Sequence, residues 1–305
     1  MIKKIIENKT DFEFDRPFSA IIGLEPSKGA RSPILWNNAY KNFGLNTQMH
    51  PLDVSENNLS DLIFSLNENS FFEGGAIAVP YKEKTLNIIE KLDNGKISNE
   101  ANNIGAVNSI YRDGQNNFCA TNTDGEAALK SIVEKCENLE EKKILLIGVG
   151  GAGKAVATYI SNYLKNGKLF ISARQNKHTK KFISLINATA VSWPIESFDY
   201  EKIDILINCT VLGSNIKNNE TNSPLKDNIL DEGEIYKRLG KDCILFDIIY
   251  DPIETIFLKK GKDCNLKTIN GLQMNLDQAV IAFNYATKNK YQLHDISTAM
   301  KNVTK

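Results

Sequence analysis

Residues 143–165 read KILLIGVGGAGKAVATYISNYLK. An apolar, strand-like run leads into Gly148-Val149-Gly150-Gly151-Ala152-Gly153, and a helical pattern follows from Ala152 to Lys165. Glycines at such a turn do three physical jobs: one permits the tight bend, one lets backbone approach a pyrophosphate, and one lets helix pack close to strand. The helix N-terminus adds unpaired N–H groups and the positive end of a dipole. Glycine spacing alone is weak evidence. Here a strand precedes it, a helix follows, and a further strand, KLFISAR, begins at Lys168, which is the context the motif requires. The stretch reads as a dinucleotide-binding loop, with Gly148, Gly150, Gly151, Ala152 and Gly153 facing the cofactor.

The end of that second strand discriminates between cofactors. NAD enzymes commonly place Asp or Glu about 20 residues beyond the glycines to bond the ribose 2′-hydroxyl. This chain reads Ser172-Ala173-Arg174-Gln175-Asn176-Lys177 instead. No carboxylate is present to repel a 2′-phosphate, and Arg174 can pair with one. NADP is favoured, with NAD as the alternative. Lys177, Lys180 and Lys181 read as a solvated helix face.

Working outward, short apolar runs alternate with longer amphipathic stretches. Candidate strands are Ser19 to Gly23, Gly75 to Val79, Ala106 to Tyr111, Lys143 to Gly148, Lys168 to Ala173, Ile203 to Cys209 and Cys243 to Ile249. Helical patterns include Ser32 to Phe43. This alternation indicates an α/β fold with mostly parallel sheet. The charged segment ENLEEKK (137–143) marks a change of character before the glycine loop, and the polar stretch Ser214 to Pro224 reads as an exposed, mobile loop.

Composition bounds the function. At about 150 residues per domain, 305 residues suggest two domains. With 37 basic against 37 acidic residues, no bulk electrostatic case exists for a nucleic-acid or polybasic membrane partner. No run approaches the roughly 18 apolar residues of a membrane span. The opening MIKKIIENKTDFEFDR reaches Glu7 and Asp11 before the apolar core of a secretory signal forms, so a cytoplasmic protein is expected. Five cysteines without a CxxC pair argue for reduced thiols, and three histidines without nearby ligands argue against a metal cluster or a Ser-His-Asp triad.

Two polar constellations precede the glycine loop. In Gly74-Gly75-Ala76-Ile77-Ala78-Val79-Pro80-Tyr81-Lys82-Glu83, an apolar strand ends at a proline and Lys82 follows at the sheet edge, where open α/β folds place ligands. In Ala120-Thr121-Asn122-Thr123-Asp124-Gly125, small polar residues close on an aspartate. A lysine working with an aspartate suits proton transfer to or from an alcohol being oxidised.

The ordered set Pro80-Tyr81-Lys82-Glu83, Gly105-Ala106-Val107-Asn108-Ser109, Asn122-Thr123-Asp124-Gly125 and the GxGGxG loop resembles the shikimate dehydrogenase family. Later segments extend the resemblance: Asn208-Cys209-Thr210-Val211-Leu212-Gly213, Phe246-Asp247-Ile248-Ile249-Tyr250-Asp251-Pro252, and Asn270-Gly271-Leu272-Gln273-Met274 with Gln278-Ala279. It spans about residues 19 to 285 in family order. The resemblance implies an NADP-dependent oxidoreductase interconverting shikimate and 3-dehydroshikimate in chorismate and aromatic amino acid biosynthesis. It implies Lys82 as acid/base and Asp124 as its partner on the reacting hydroxyl. Asn108 and Gln278 would hold ring hydroxyls, Tyr250 would line the substrate pocket, and Ser32 would bind the substrate carboxylate. Thr210, Gly271 and Met274 would lie on the cofactor side. The implied fold has an N-terminal α/β substrate domain (1–125, completed by helices in 272–305) and a Rossmann domain (126–271), with the active site in the cleft between them. The expected partners are the small-molecule substrate and cofactor, with no nucleic acid and no membrane, and a monomer or homodimer.

Departures from the family pattern bear on the substrate. The family's HSxSP signature is Gly29-Ala30-Arg31-Ser32-Pro33 here, and its Asn-Val-Thr before the catalytic lysine is Ala76-Ile77-Ala78. Two hydroxyls expected to contact shikimate are therefore absent. Losing one charge-assisted and one neutral hydrogen bond weakens binding by roughly 2–4 kcal/mol, unless Ser27 or Arg31 compensates. Quinate or another cyclic hydroxy acid is the alternative substrate, and a non-catalytic NADP-binding regulator is the alternative of a different class. Retained Lys82, Asp124, Asn108 and Gln278 argue against the regulator.

Overall fold

The computed structural model describes residues 2–136, 138–174, 176–215 and 219–301. Glu137 of the charged segment, Gln175 of the cofactor segment and residues 216–218 of the polar loop lie outside them. The chain divides into two compact units, Met1–Thr123 with Leu276–Lys305, and Asp124–Asn275. The divisions fall at the first residue of one helix and inside another, two residues before and four residues after the boundaries drawn from sequence.

The first unit carries strands β1 (Phe18–Gly23), β2 (Gln48–Asp53), β3 (Phe72–Ile77), β4 (Gly95–Ile97), β5 (Ser109–Arg112) and β6 (Phe118–Thr121), in the order β2-β1-β3-β5-β6-β4. Helices α1 (Ser32–Asn42), α2 (Leu59–Glu68), α3 (Lys82–Ile89) and α4 (Asn99–Ile104) connect them. The strands run parallel except β5, which is antiparallel to both β3 and β6. All six positions of β1 are buried, as expected for a central strand covered on both faces. Its neighbour β2 lies at the sheet edge and tolerates Pro51 for that reason. Phe18 packs on Phe72 at 5.4 Å and Phe72 on Phe118 at 5.9 Å, so one aromatic row crosses β1, β3 and β6 beneath α2 residues Leu62, Ile63 and Leu66. The strand expected over Ala106 to Tyr111 begins only at Ser109, because residues 106–108 form its approach.

The second unit opens with α5 (Asp124–Cys136) and continues through β7 (Lys143–Ile147), α6 (Gly151–Tyr163), β8 (Lys168–Ser172), α7 (Lys177–Leu185), β9 (Thr189–Val191), β10 (Ile205–Asn208), α8 (Glu232–Arg238), β11 (Ile244–Asp247), α9 (Ile256–Asp263) and β12 (Lys267–Ile269). All six strands are parallel, in the order β12-β11-β10-β7-β8-β9. That is the doubly wound order, with its switch point between β7 and β10. Helix α10 (Leu272–Ala286) begins in this unit and returns the chain to the first, where α11 (Leu293–Lys301) packs with α1. Within the first unit Phe283 of α10 meets Trp36 at 5.3 Å and Tyr40 at 4.8 Å. The polar stretch expected to be exposed is partly packed down: Ser214 and Ser223 are both buried. Among the described residues no helix is long and apolar enough to cross a membrane.

Candidate active site

In the first unit, parallel β1, β3 and β6 deliver their C-terminal ends to one sheet edge. Reversed β5 delivers its N-terminal end to the same edge. Lys82 is the first residue of α3, half-buried, directly after the buried Tyr81, whose hydroxyl donates to the Val54 carbonyl at 2.7 Å. The Lys82 carbonyl accepts the N–H of Val107 at 3.0 Å, which ties the lysine's backbone to the residue preceding Asn108. Asn108 is 3% exposed and its backbone is held on both sides: its N–H donates to Thr121 at 3.1 Å and its carbonyl accepts from Ile77 at 2.8 Å.

The Asn108 side chain joins a cluster. Its Oδ1 accepts the Thr123 N–H at 2.8 Å, and its Nδ2 donates to Thr123 Oγ1 at 3.0 Å and to Gln278 Oε1 at 3.4 Å. The Thr123 hydroxyl donates to the Gln278 carbonyl at 3.1 Å. Asn108 and Gln278, far apart in sequence, are thus brought together, and Thr123 bridges them. No role was read for Thr123 from sequence, since it sits in the motif beside more reactive neighbours; its signal is the absence of any apolar residue in Asn122-Thr123-Asp124. Asn122, also buried, donates to the Ala106 carbonyl at 3.0 Å.

Ser32 is the buried first residue of α1, followed by Pro33 in the first turn. The turn before it is anchored elsewhere. The Ser27 N–H donates to Asp53 Oδ1 at 2.9 Å and the Ser27 hydroxyl donates to Asp53 Oδ2 at 2.5 Å. The single proton of Ser27 is committed to a buried carboxylate, so Ser27 does not supply the missing donor to a substrate anion. Ala30 and Ala78 instead pack against the apolar cluster around Trp36 and Phe283.

In the second unit the glycine loop lies at the switch point. Gly148 adopts φ +93°, a conformation that disfavours side chains, and a Cβ there would lie 2.6 Å from Thr210 Cγ2. A Cβ on Gly153 would lie 2.2 Å from the Gly148 carbonyl oxygen. Gly150 caps α6 without a side-chain hydrogen bond, and a Cβ there would meet nothing within 4 Å. Two glycines therefore let the turn close on itself, and the third leaves open space before a helix start not capped by a side chain. This cradle fits a dinucleotide pyrophosphate. Gly151 begins α6, with Ala152 next in its first turn. Arg174 is exposed just past the end of β8, and Asn176 caps α7 by accepting the Thr179 N–H at 2.9 Å. Lys177, Lys180 and Lys181 are exposed on α7.

Asp124 is the buried first residue of α5, where the positive end of the helix dipole favours a carboxylate. Gly125 follows because a Cβ there would lie 2.3 Å from the Tyr159 ring and 2.6 Å from the Ala155 carbonyl of α6. Gly271 is required by close backbone approach too: a Cβ would stand 2.1 Å from the Ile248 carbonyl. Met274 is buried in the apolar core of this unit. Tyr250 is half-buried in the loop after β11.

Thr210, expected on the cofactor side, is internally engaged. Its hydroxyl donates to Asn208 Oδ1 at 2.7 Å and accepts the Leu212 N–H at 3.1 Å. Asn208 Nδ2 donates onward to Asp247 Oδ1 at 3.1 Å, and Thr255 donates to Asp247 Oδ2 at 2.7 Å. Asp247 has no exposed surface, and burial pushes its carboxyl up to about 6, although Thr255, the Ile249 N–H and Asn208 pull the other way.

A family model for the shikimate dehydrogenase substrate binding domain matches residues 21–110. A shikimate dehydrogenase (NADP+) of Methanococcus vannielii is 30% identical over 300 residues, covering 94% of this chain and 98% of the relative. The chain belongs to the shikimate dehydrogenase family. Another shikimate dehydrogenase (NADP+), from Carboxydothermus hydrogenoformans, is 32% identical over 270 residues, covering 87% of this chain and 89% of that protein. The fold agrees as well. A crystal structure of a shikimate dehydrogenase in complex with NADP+ superposes with a TM-score of 0.78 at 28% identity, covering 95% of this chain and 96% of that one. The α/β architecture with a Rossmann unit expected from the glycine loop is therefore that of the shikimate dehydrogenases.

Proposed function

We propose that this chain is an NADP-dependent oxidoreductase that interconverts shikimate and 3-dehydroshikimate. The observation carrying the reading is the glycine cradle at the switch point, in a chain whose other unit gathers Lys82, Asn108, Thr123 and Gln278 at one sheet edge. Relatives that align over most of both chains carry the same activity in their names.

A bound NADP+ would supply the acceptor for the hydride that leaves the carbinol carbon. The protein supplies the rest. Gly148, Gly150, Gly151, Ala152 and Gly153 would hold the cofactor's pyrophosphate, and Arg174 would pair with the 2′-phosphate that distinguishes NADP from NAD. Lys82 takes the hydroxyl proton on oxidation and returns it on reduction, with Asp124 orienting the same hydroxyl. The amide groups of Asn108, fixed by Thr123, and of Gln278, bonded to Asn108, hold ring hydroxyls. Ser32 binds the carboxylate, with Arg31 adjoining it in sequence. Tyr250 lines the substrate pocket, while Thr210, Gly271 and Met274 shape the cofactor side. In this reading residues 124–275 form the cofactor domain and the remainder the substrate domain. The protein works in the cytoplasm on small molecules, as a monomer or homodimer.

One observation favours a second substrate. Ala30 and Ala78 are packed on apolar neighbours and Ser27 is held by Asp53, so the carboxylate end offers fewer hydroxyl donors than the family pattern. Quinate or another cyclic hydroxy acid is the second reading. Purified protein given NADP+ with shikimate and with quinate, followed by absorbance of the reduced nicotinamide, separates the two. Turnover of shikimate below about 1 per second, the low end of ordinary enzymes, overturns the first reading, and faster turnover of quinate supports the second.

A further inference from the structure

We infer that Asp247 and Thr255 are positioning residues for the NADP site, acting through Asn208 to hold the loop 208–213 against the glycine turn. The inference rests on the NADP reading above and extends it to residues that touch neither cofactor nor substrate.

The chain of contacts is continuous. Asn208 and Asp247 are register partners at the C-terminal ends of adjacent parallel strands β10 and β11. Asp247 Oδ1 accepts from Asn208 Nδ2 at 3.1 Å and from the Ile249 N–H at 3.1 Å; its Oδ2 accepts the Thr255 hydroxyl at 2.7 Å. Thr255 in turn caps α9, accepting the Leu258 N–H at 3.3 Å. Asn208 is fixed by these bonds in the orientation that offers Oδ1 to Thr210, accepting its N–H at 3.0 Å and its hydroxyl at 2.7 Å, while Nδ2 also donates to the Leu212 carbonyl at 3.1 Å.

The far end of this chain is the cofactor turn. Thr210 Cγ2 occupies the space that a side chain on Gly148 would need, and Cys209 Cβ lies 3.2 Å from where a Cβ on Gly153 would stand. The loop is thus the wall against which the glycine turn is shaped. Asp247, Asn208 and Thr255 each have no exposed surface. A buried aspartate bonded only to neutral groups is an expensive way to stabilise a strand end. It is suited to orienting one amide, since a carboxylate accepts at both of its oxygens, whereas an asparagine in its place would turn an NH2 donor toward one of the groups that now donate to it.

Three variants test this in the full chain. Asp247→Asn and Thr255→Val should each raise the dissociation constant for NADP+, measured by isothermal titration calorimetry, about tenfold, the equivalent of about 1.4 kcal/mol. Thr255→Ser, which keeps the hydroxyl, should restore wild-type affinity. KM for the acid substrate should move less than twofold. Unchanged NADP+ affinity in Asp247→Asn, or parallel losses in NADP+ affinity, substrate KM and melting temperature, overturns the inference. Failure of the wild-type protein to bind NADP+ at all overturns the underlying reading instead, so the two failures are distinct.

Discussion

Thr123 donates its hydroxyl to the backbone carbonyl of Gln278 at 3.1 Å, joining the exit of β6 to helix α10. The same oxygen accepts from Asn108, so one small side chain ties the Asn108 amide to the Gln278 backbone, and the Gln278 amide is held in turn by Asn108 Nδ2. Thr123→Val keeps the shape and removes the hydroxyl, leaving buried polar groups unmatched at a cost of about 1–3 kcal/mol. Substrate KM should rise roughly 5- to 100-fold while NADP+ affinity holds, and Thr123→Ser should recover most of the loss. Steady-state kinetics decide it; an unaltered KM in Thr123→Val removes the cluster from the substrate site.

Lys82→Ala should lower kcat by about 10²–10⁴, the usual contribution of a positioned acid/base. NADP+ affinity, read by calorimetry, should be nearly unchanged, because the lysine belongs to the other unit of the chain from the glycine turn. Surviving turnover would show that another group moves the proton.

Arg174→Ala should weaken NADP+ by about tenfold or more and leave NAD+ within twofold, since only the former carries the 2′-phosphate. Equal losses for both cofactors would mean that Arg174 does not read that group.

Gly125→Ala tests packing rather than chemistry. The added methyl would stand 2.3 Å from the Tyr159 ring and 2.6 Å from the Ala155 carbonyl, so α5 and α6 must separate. Overpacking of this kind costs about 1–3 kcal/mol, and denaturant unfolding should show it. Stability equal to wild type would mean that the helices yield easily.

Asp247 makes a pH prediction. Its folded-state value, about 6, lies above the ordinary 3.8. The folded state therefore binds this proton more tightly than the unfolded chain. Its contribution to stability is complete below about pH 4 and is lost as pH rises through about 6. A shift of about two units corresponds to about 3 kcal/mol. The difference in unfolding free energy between wild type and Asp247→Asn should change by that order between pH 4 and pH 7, in favour of the variant at the higher pH. A flat difference would refute it.

The cofactor half of the fold was legible because its signals are local. A strand, a glycine turn and a helix lie within residues 143–165, and the apolar run of β7 is buried as its composition demands. Strands β4, β9 and β12 were not read, since three residues establish no periodicity. Edge strand β2 was masked by Pro51 and His50 within QMHPLD. At the candidate site, Lys82 and Asn108 stand out by residue type and order. The bridging role of Thr123 and the capture of Ser27 by Asp53 depend on which elements meet in space, and neighbouring residues carry no trace of that. Asp247 lay between these cases: a carboxylate interrupting the apolar run Ile244 to Ile249 was a visible anomaly, but its partners Asn208 and Thr255 were not.

Reversed β5 has a further consequence. In a sheet with all strands parallel, the ligand-bearing edge is furnished by loops, whose backbones must be ordered when a ligand arrives. Because β5 runs the other way, Asn108 stands at that edge immediately before the strand's first residue, its backbone bonded to Ile77 of β3 on one side and Thr121 of β6 on the other. The amide is preorganised before any substrate binds, so recognition there demands little conformational entropy. Substrates should accordingly be discriminated by fit at this position, whereas the turn around Ser27 to Ser32 remains the place where a related chain can change its preference without disturbing the sheet.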